Sequence, residues 1–255
     1  MTAPRLARRG SVPGAAPRSR SSLVAGRQPV WLLDLDNTLH DAGPQVFPRI
    51  DGAMTDYVAR HLGLPTEQAS ALRLHYWQRY GATMLGLIRH HGIDPHHFLR
   101  ETHPFPDLHA LVGRDHGLRD ALRRLPGRKV VLTNAPGAYA SAVLRRLGVA
   151  AQLDGVVTIE SMRFGGRYFP KPSRSMLARI VAQLRVPASR CILVEDSVPN
   201  LISARACRVR TVLVTGLSHR SKGPQRRPRA GAGRRIDVQV PSAWLLPRVV
   251  HRLRS

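Results

Sequence analysis

The chain has 255 residues, 43% of them hydrophobic, which is enough to bury the core of one large domain or of a domain with a smaller companion. Two cysteines exclude a disulfide scaffold, and no apolar run reaches the roughly 18 residues of a membrane span. The formal charge of +24 suggests a polyanion ligand, but residues 1–28 and 219–235 carry 6 and 7 basic residues without an acid. More than half of the excess charge therefore lies in two low-complexity stretches, and we expect neither a specific nucleic acid nor a membrane as partner.

The N-terminal stretch, residues 1–28, is rich in Arg, Ser, Pro, Gly and Ala, and is predicted to be a disordered tail because it cannot bury apolar area. It is similar to a transit peptide in its arginines, its serines and its lack of acids, whereas a secretory signal would need an apolar segment after the charges. An untargeted tail is the favoured interpretation. Together with the low cysteine content, this predicts a cytoplasmic protein.

The first predicted strand, Val30–Leu33, carries two acids to its carboxyl end. Asp34 and Asp36 lie two residues apart, so alternation along the strand would send both to the same side. Two carboxylates that close repel each other unless a cation or a shared proton compensates them. The pair suits a divalent metal with oxygen ligands, and Mg²⁺ is the usual ion where phosphates are handled. The alternative is an ordinary surface turn rich in Asp and Asn.

A long helical stretch follows this strand. Helical periodicity or start signals predict helices over Ile50–Leu62, from Thr66, over Thr83–His90 and from Pro95. An ordinary connection between a strand and a helix takes only about 2–6 residues. We therefore interpret residues 44–115 as a helical cap inserted over the site.

The remaining chain alternates strands with helices. Strands are predicted at Lys129–Asn134, Gly155–Thr158, Cys191–Val194, Thr211–Val214 and Ile236–Val240, and helices at Gly117–Leu125, Tyr139–Leu147, Ser173–Leu184, Asn200–Ala206 and Ala243–Leu253. This alternation predicts an α/β fold with a doubly wound, parallel, Rossmann-like sheet. Residues 29–43 and 116–255 are assigned to this core, with 219–235 as a basic loop.

Further polar groups follow the predicted strands or lie in loops between them. Thr133 and Asn134 end one strand, where a hydroxyl and backbone N–H groups can hold phosphoryl oxygens. Lys171 lies between two prolines, and its compact ammonium can contact both a carboxylate and a phosphate. Glu195 and Asp196 end a later strand. The structural alternatives are a capping threonine, a solvated loop lysine and an acid pair at a helix N-terminus.

These groups occur in the order of a known set of motifs. Asp34-Leu35-Asp36-Asn37-Thr38 resembles the first motif of the haloacid dehalogenase (HAD) superfamily, whose phosphatases carry Asp-x-Asp-x-Thr. The strand ending at Thr133, the loop Phe169–Pro172 and the segment Ile192–Ser197 resemble the second, third and fourth motifs. Four motifs in order are far more specific than any one of them. The resemblance implies a phosphomonoester hydrolase that forms an aspartyl-phosphate, and Asp36 argues against the dehalogenase branch.

The resemblance also implies a role for each residue of the site. Asp34 is implied to be the nucleophile, and Asp36 the general acid and base. Phosphate binding is implied for Thr133, Asn134 and Lys171. Mg²⁺ binding is implied for Asp34, the Asp36 carbonyl and Asp196, with Glu195 hydrogen-bonded around the metal ligands without binding the ion. Many members carry a second acid a few residues after the fourth motif, where this chain has Asn200. Of the acids in the fourth motif, Asp196 is therefore assigned as the metal ligand.

The cap narrows the implied substrate. The segment Tyr76–Leu87, with Asp34–Leu39 and Glu195–Leu201, is similar to the pyrimidine 5′-nucleotidase family, and the likeness runs from about Val30 through the closing helix. It implies UMP or CMP as substrate, with Tyr80 and Thr83 facing the base or ribose, although such side chains also serve as cap core. One alternative is another small phosphomonoester, such as a sugar phosphate. An alternative of another class is a basic nucleic-acid-binding protein on the same fold, which the placement of charge away from the motifs disfavours.

Five histidines of the cap raise the question of a zinc site: His90, His91, His96, His97 and His103. They have neither cysteine partners nor a convincing ligand spacing. Surface or helix-capping roles are therefore the favoured interpretation.

Overall fold

A computed structural model describes residues 28–217 and 236–253. The predicted tail, up to residue 27, and the predicted basic loop 219–235 lie outside the described residues. Within the described part, every helix is too short or too polar to span a bilayer.

The core of the fold is a parallel sheet. The strands are β1 (Val30–Leu33), β2 (Arg128–Leu132), β3 (Gly155–Val157), β4 (Arg163–Phe164), β5 (Arg167–Tyr168), β6 (Cys191–Glu195), β7 (Arg210–Val214) and β8 (Val238–Val240). Six of them form one sheet in the order β3-β2-β1-β6-β7-β8, and each neighbouring pair is parallel. The predicted doubly wound α/β sheet is confirmed, and β1 lies in its interior.

Helices cover the sheet and fill the connection between β1 and β2. They are α1 (Val46–Leu62), α2 (Thr66–Tyr80), α3 (Thr83–His91), α4 (Pro95–Thr102), α5 (Leu108–Leu111), α6 (His116–Arg124), α7 (Gly137–Leu147), α8 (Arg174–Leu184), α9 (Val198–Ala206) and α10 (Leu246–Val249). Helices α1 to α4 pack on one another, with α2 against both α1 and α3. The boundaries of the predicted cap, 44–115, stay a prediction.

Strand β1 is buried on both faces. Trp31 and Leu33 belong to one hydrophobic cluster, with α6 and α7, while Val30 and Leu32 belong to the other, with α8 and α9. A strand covered on both faces needs apolar residues at every position, which explains the unbroken run before the first acid. The run therefore ends where the sheet ends, and the next side chains lie at its edge.

Two parts of the fold differ from the sequence-based expectation. The predicted closing helix Ala243–Leu253 is broken into a 3-10 turn, the short α10 and a second 3-10 turn. Pro247 lies in the first turn of α10 and has no N–H to continue a helix through it. The hairpin of β4 and β5 was not predicted, although Gly165 and Gly166 both adopt positive φ between the strands, as a tight hairpin turn requires.

Candidate active site

The carboxyl ends of three neighbouring strands bring the predicted groups together. Asp34 follows β1, Thr133 follows β2, and Glu195 and Asp196 lie at the end of β6. Because β1 pairs in parallel with both β2 and β6, these ends meet at one edge of the sheet. Ligands of open α/β sheets bind at this edge.

The carboxylate of Asp34 is held at both oxygens. Lys171 Nζ donates to Oδ1 at 2.5 Å, and Thr38 Oγ1 donates to Oδ2 at 2.8 Å. The turn that supplies Thr38 is tight, with Asn37 in the left-handed region (φ 60°) that Asn tolerates better than most residues. Asp34 is only 5% exposed, so its orientation is fixed by these two donors.

Lys171 is positioned from several sides. Its ammonium donates to Glu195 Oε2 at 2.8 Å, and Asn200 Nδ2 donates to the same oxygen at 2.9 Å. The Asn134 side chain bonds the backbone of Lys171 in both directions, at 3.1 and 2.9 Å. The Asn134 amide therefore orients the loop that carries Lys171, and it keeps a second N–H that a ligand can accept from.

One group of side chains in the described residues can hold a metal ion. Asp34, Glu195 and Asp196 each offer a carboxylate oxygen, and these atoms lie within 4.8 Å of one another. Oxygen donors of this kind suit Mg²⁺. Glu195 is thus itself a possible metal ligand and not only a neighbour of the ligands. The Asp36 carboxylate is not part of this group.

The electrostatics of this group also fit a cation. Burial and the Glu195 carboxylate raise the pKa of Asp34 to about 7, and they raise the pKa of Asp196 to about 9, in both cases against the pull of Lys171. Burial opposes the charged form of Glu195 as well, but Lys171 keeps its pKa lowered. Three carboxylates share one ammonium, so a divalent cation would balance the excess negative charge.

Asp36 has an environment of its own. Tyr139 Oη donates to its Oδ1 at 2.7 Å, and His40 Nε2 is hydrogen-bonded to the same oxygen at 2.8 Å. Burial would raise the pKa of Asp36, but the hydrogen bonds from His40 and Tyr139 leave it lowered. His103, whose pKa burial lowers to about 4, contacts the Tyr139 ring edge-on at a centroid distance of 5.9 Å. Sequence reasoning missed His40 and Tyr139, and it counted His103 among ordinary cap histidines.

The predicted Thr133 lies where the motif places it. It is buried at the end of β2, and its Oγ1 accepts a hydrogen bond from the backbone N–H of Ala135 at 3.0 Å. The hydroxyl thereby shapes the turn that leads from β2 into α7. It retains a proton that it can donate, as a phosphate-binding role would require.

The predicted cap residues are engaged within the cap. Thr83 Oγ1 donates to the carbonyl of Arg73 at 3.0 Å, and Tyr80 Oη bonds His90 Nε2 at 2.7 Å. The turn between them nevertheless borders the site, because a Cβ at Gly81 would lie 3.8 Å from Cδ of Pro172.

Other cap histidines also pair with tyrosines. His97 Nδ1 bonds Tyr57 Oη at 2.9 Å, and His91 Nε2 bonds Tyr76 Oη at 2.8 Å. Among residues 28–217 and 236–253, none of the cap histidines belongs to a group that could hold a metal.

The fold is that of a parallel α/β protein with acidic side chains and a lysine at the carboxyl edge of its sheet. The family described as haloacid dehalogenase-like hydrolase matches residues 30–208, more than half of the chain. The protein belongs to this family, as predicted.

Individual relatives agree with the assignment. Phosphoglycolate phosphatase of Pseudomonas fluorescens is 25% identical over 216 residues, which are 77% of this chain and 72% of that protein. Phosphate metabolism protein 8 of Saccharomyces cerevisiae is 27% identical over 138 residues, but these are 50% of this chain and only 42% of the yeast protein. The family and the phosphatase relatives together support the predicted phosphatase enzyme.

Solved structures share the fold. A HAD phosphatase from Thermococcus onnurineus superposes with a TM-score of 0.55 at 16% identity, covering 89% of this chain and 100% of that one. The L-2-haloacid dehalogenase of Xanthobacter autotrophicus superposes with a TM-score of 0.53, also at 16% identity, covering 88% and 98%. Because a phosphatase and a dehalogenase match about equally well, this likeness concerns the fold alone.

Proposed function

We propose that the protein is a Mg²⁺-dependent phosphomonoesterase that works through an aspartyl-phosphate on Asp34. The observation that carries the proposal is a group of three neighbouring carboxylates, Asp34, Glu195 and Asp196, two of which bind one buried lysine: Lys171 Nζ lies 2.5 Å from Asp34 and 2.8 Å from Glu195. The lysine binds a carboxylate that is also a candidate metal ligand. Such a site suits a phosphate dianion, because it offers positive charge next to the nucleophile. Lys171 would stabilise the negative charge on the phosphoryl oxygens while Asp34 attacks phosphorus.

The candidate metal ligands are Asp34, Asp196 and the backbone carbonyl of Asp36, with Glu195 as a further carboxylate within reach. Bound Mg²⁺ supplies charge neutralisation between the nucleophile and the phosphate. Within the protein, the fixed ammonium of Lys171 also neutralises negative charge on the nucleophile and the phosphate. The two donors on Asp34 keep its carboxylate oriented for an in-line approach.

The reaction divides into two displacements, as expected for a carboxylate nucleophile. Asp34 forms a bond to phosphorus while the ester bond breaks, and Asp36 gives a proton to the leaving oxygen. Asp36 then takes a proton from water as the water oxygen attacks phosphorus and releases Asp34. Thr133, the Asn134 backbone and Lys171 stabilise the phosphoryl oxygens during both steps.

For the substrate we propose a pyrimidine nucleoside 5′-monophosphate, UMP or CMP, enclosed by the cap of residues 44–115. The pyrimidine assignment rests on the likeness of the segment Tyr76–Leu87. The placement of the cap is supported by the turn at Gly81, which borders Pro172 in the loop that carries Lys171. Tyr80 and Thr83 flank that turn, but both hydroxyls are already bonded, so they would act through their carbon atoms or after a rearrangement. A reducing cytoplasm remains the proposed compartment.

A second candidate is another small phosphomonoester. It is favoured by the relatives named phosphoglycolate phosphatase, which match 77% of this chain. A sugar phosphate belongs to the same class of candidates.

The test is release of inorganic phosphate from a panel containing UMP, CMP, AMP, GMP, phosphoglycolate and a hexose phosphate, with Mg²⁺ and with EDTA. We expect EDTA to abolish turnover, and UMP or CMP to have the highest kcat/KM. A pocket rejects an oversized ring more effectively than an undersized one, so Tyr80→Ala should narrow the gap to the purine nucleotides. Preference for another ester would overturn the pyrimidine assignment, and activity in EDTA would overturn the metal.

A further inference from the structure

The Asp36 carboxylate is bound on one side only. Its Oδ1 accepts a hydrogen bond from Tyr139 Oη at 2.7 Å and another from His40 Nε2 at 2.8 Å. Within the described residues, no hydrogen bond reaches its Oδ2. The two donors come from different parts of the chain, since His40 ends the turn after β1 and Tyr139 lies on α7, 103 residues from Asp36.

Tyr139 is itself rigidly placed. It is 3% exposed, and its ring contacts Phe105 at 5.3 Å and His103 at 5.9 Å, both from the segment that follows α4. The helix that carries it begins at Gly137, whose N–H donates to Glu160 Oε1 at 3.0 Å. The phenol oxygen is therefore held at a fixed point against Asp36.

We propose that Tyr139 and His40 are positioning residues, which fix the plane of the Asp36 carboxyl and leave Oδ2 as the oxygen that exchanges a proton with substrate. The inference rests on the proposed phosphatase function. Both donors occupy Oδ1, so Oδ2 is the oxygen of Asp36 that is open to take up or release a proton. A carboxyl held this way cannot rotate to present the wrong oxygen, which is the geometric condition that general acid catalysis requires.

The proton balance of the step is simple. As the Asp34–phosphorus bond forms, the electron pair of the breaking ester bond moves to the leaving oxygen, which takes the proton from Oδ2. Asp36 is then a carboxylate, and Oδ2 takes a proton from water when the water oxygen attacks the phosphoryl group. Tyr139 and His40 keep their own protons throughout, so their effect passes entirely through Asp36.

Such a role has a kinetic signature that a purely structural tyrosine lacks. A poor leaving group, such as the alkoxide of a nucleotide, needs the proton, whereas the stable anion of 4-nitrophenol needs it far less. The value of kcat/KM reports the steps up to phosphorylation of Asp34. Loss of positioning should therefore lower kcat/KM more for the alkyl ester than for the aryl ester.

The experiment compares kcat/KM for UMP, or for the best alkyl ester of the panel, with kcat/KM for 4-nitrophenyl phosphate. Tyr139→Phe keeps the ring and its packing but removes the hydroxyl donor. We expect about a 10–100-fold loss on the alkyl ester, a part of the full effect of a general acid, and a clearly smaller loss on the aryl ester. His40→Gln, which keeps an N–H donor, should retain more alkyl activity than His40→Leu.

Tyr57→Phe is the matched control, because Tyr57 is also buried and its hydroxyl is also hydrogen-bonded, but to His97 and away from Asp36. It should leave the ratio of the two kcat/KM values unchanged. Equal losses on both esters in a folded Tyr139→Phe protein, or no loss on either, would overturn the positioning role while the phosphatase function stands. A wild-type protein inactive on both esters would overturn the proposed function and this inference with it.

Discussion

The charged side chains at the edge of the sheet and those of the predicted cap differ in burial and in charge balance. At the edge, the Lys171–Asp34 pair is 5% and 8% exposed, and a second buried acid, Glu195, shares the same ammonium. In the cap, the Arg49–Asp107 pair is 49% and 42% exposed, and each partner balances the other. Exposed pairs contribute about 0–1 kcal/mol, whereas buried charges must be compensated. Buried charge that is not balanced within the protein is expected where a ligand or metal ion completes a site, whereas balanced, exposed charge gives no such indication.

The largest expected difference between the two regions is in activity. Asp34→Asn removes the nucleophile while keeping the size of the side chain, and we expect turnover to fall by about 10³-fold or more. Asp107→Asn, in the exposed pair, should leave turnover unchanged. Phosphate release and circular dichroism check both variants, and near-normal turnover by a folded Asp34→Asn protein would contradict the mechanism.

The second difference is in stability. Lys171→Met leaves the buried carboxylates without their ammonium, and we expect the free energy of unfolding in EDTA to fall by about 3–5 kcal/mol. Arg49→Met should cost less than about 1 kcal/mol. Urea unfolding measures both values. A Lys171→Met protein as stable as the wild type would show that the carboxylates are not the buried, repelling group described above.

A third difference concerns pH. The pKa values of Asp34 and Asp196 are raised to about 7 and about 9, so the folded protein holds protons that the unfolded chain has released. Without metal, the free energy of unfolding should therefore fall as pH rises from about 5 to about 9. The lowered pKa of Glu195 acts below this window, and the raised pKa of Lys171 acts above it. The pKa of His103, lowered from 6.5 to about 4, opposes the slope in the acidic part of the window, but it involves one proton against the two of Asp34 and Asp196.

Two controls accompany the pH series. Saturating Mg²⁺ should flatten the slope, because the cation replaces the protons, and Asp196→Asn should reduce it in EDTA. A free energy of unfolding that rises with pH over this window would contradict the assigned direction of these shifts.

The smallest effects are expected in the cap. Thr83→Val removes a hydrogen bond to the Arg73 carbonyl, and we expect it to cost about 0.5–1.5 kcal/mol of stability. Thermal unfolding and kcat/KM on the best substrate check the prediction. If Thr83→Val lowered kcat/KM more than Lys171→Met does, Thr83 would belong to the site, and the comparison between the sheet edge and the cap would be reversed.

The parts that the sequence predicted correctly depend on local pattern. An apolar run followed by acids was enough to place Asp34 and Asp196 at strand ends, and a lone Lys171 between prolines was enough to single out the loop. Strand ends converge by topology, so these residues meet without any further information.

The parts that it missed depend on tertiary contact. Nothing near Tyr139 in sequence indicates that its hydroxyl meets Asp36, because the contact spans 103 residues. His103 reaches the Tyr139 ring only because the chain after α4 returns to the core. The bonds from the Asn134 amide to the Lys171 backbone were not predicted either, because they form only where two loops that are distant in sequence meet. The break at Pro247 did have a local signal.

The most direct test of the central claim is to trap the phosphoenzyme. Asp36→Asn retains the nucleophile but lacks the acid of the first displacement and the base of the second. With 4-nitrophenyl phosphate, whose leaving group needs little help from the acid, the intermediate should accumulate when this variant is mixed with Mg²⁺ and the ester and quenched in acid. The account predicts a mass gain of one phosphoryl group, located on Asp34 by peptide mapping and absent from the Asp34→Asn/Asp36→Asn double variant. A phosphoryl group on another residue, or continued release of phosphate without a detectable phosphoenzyme, would contradict it.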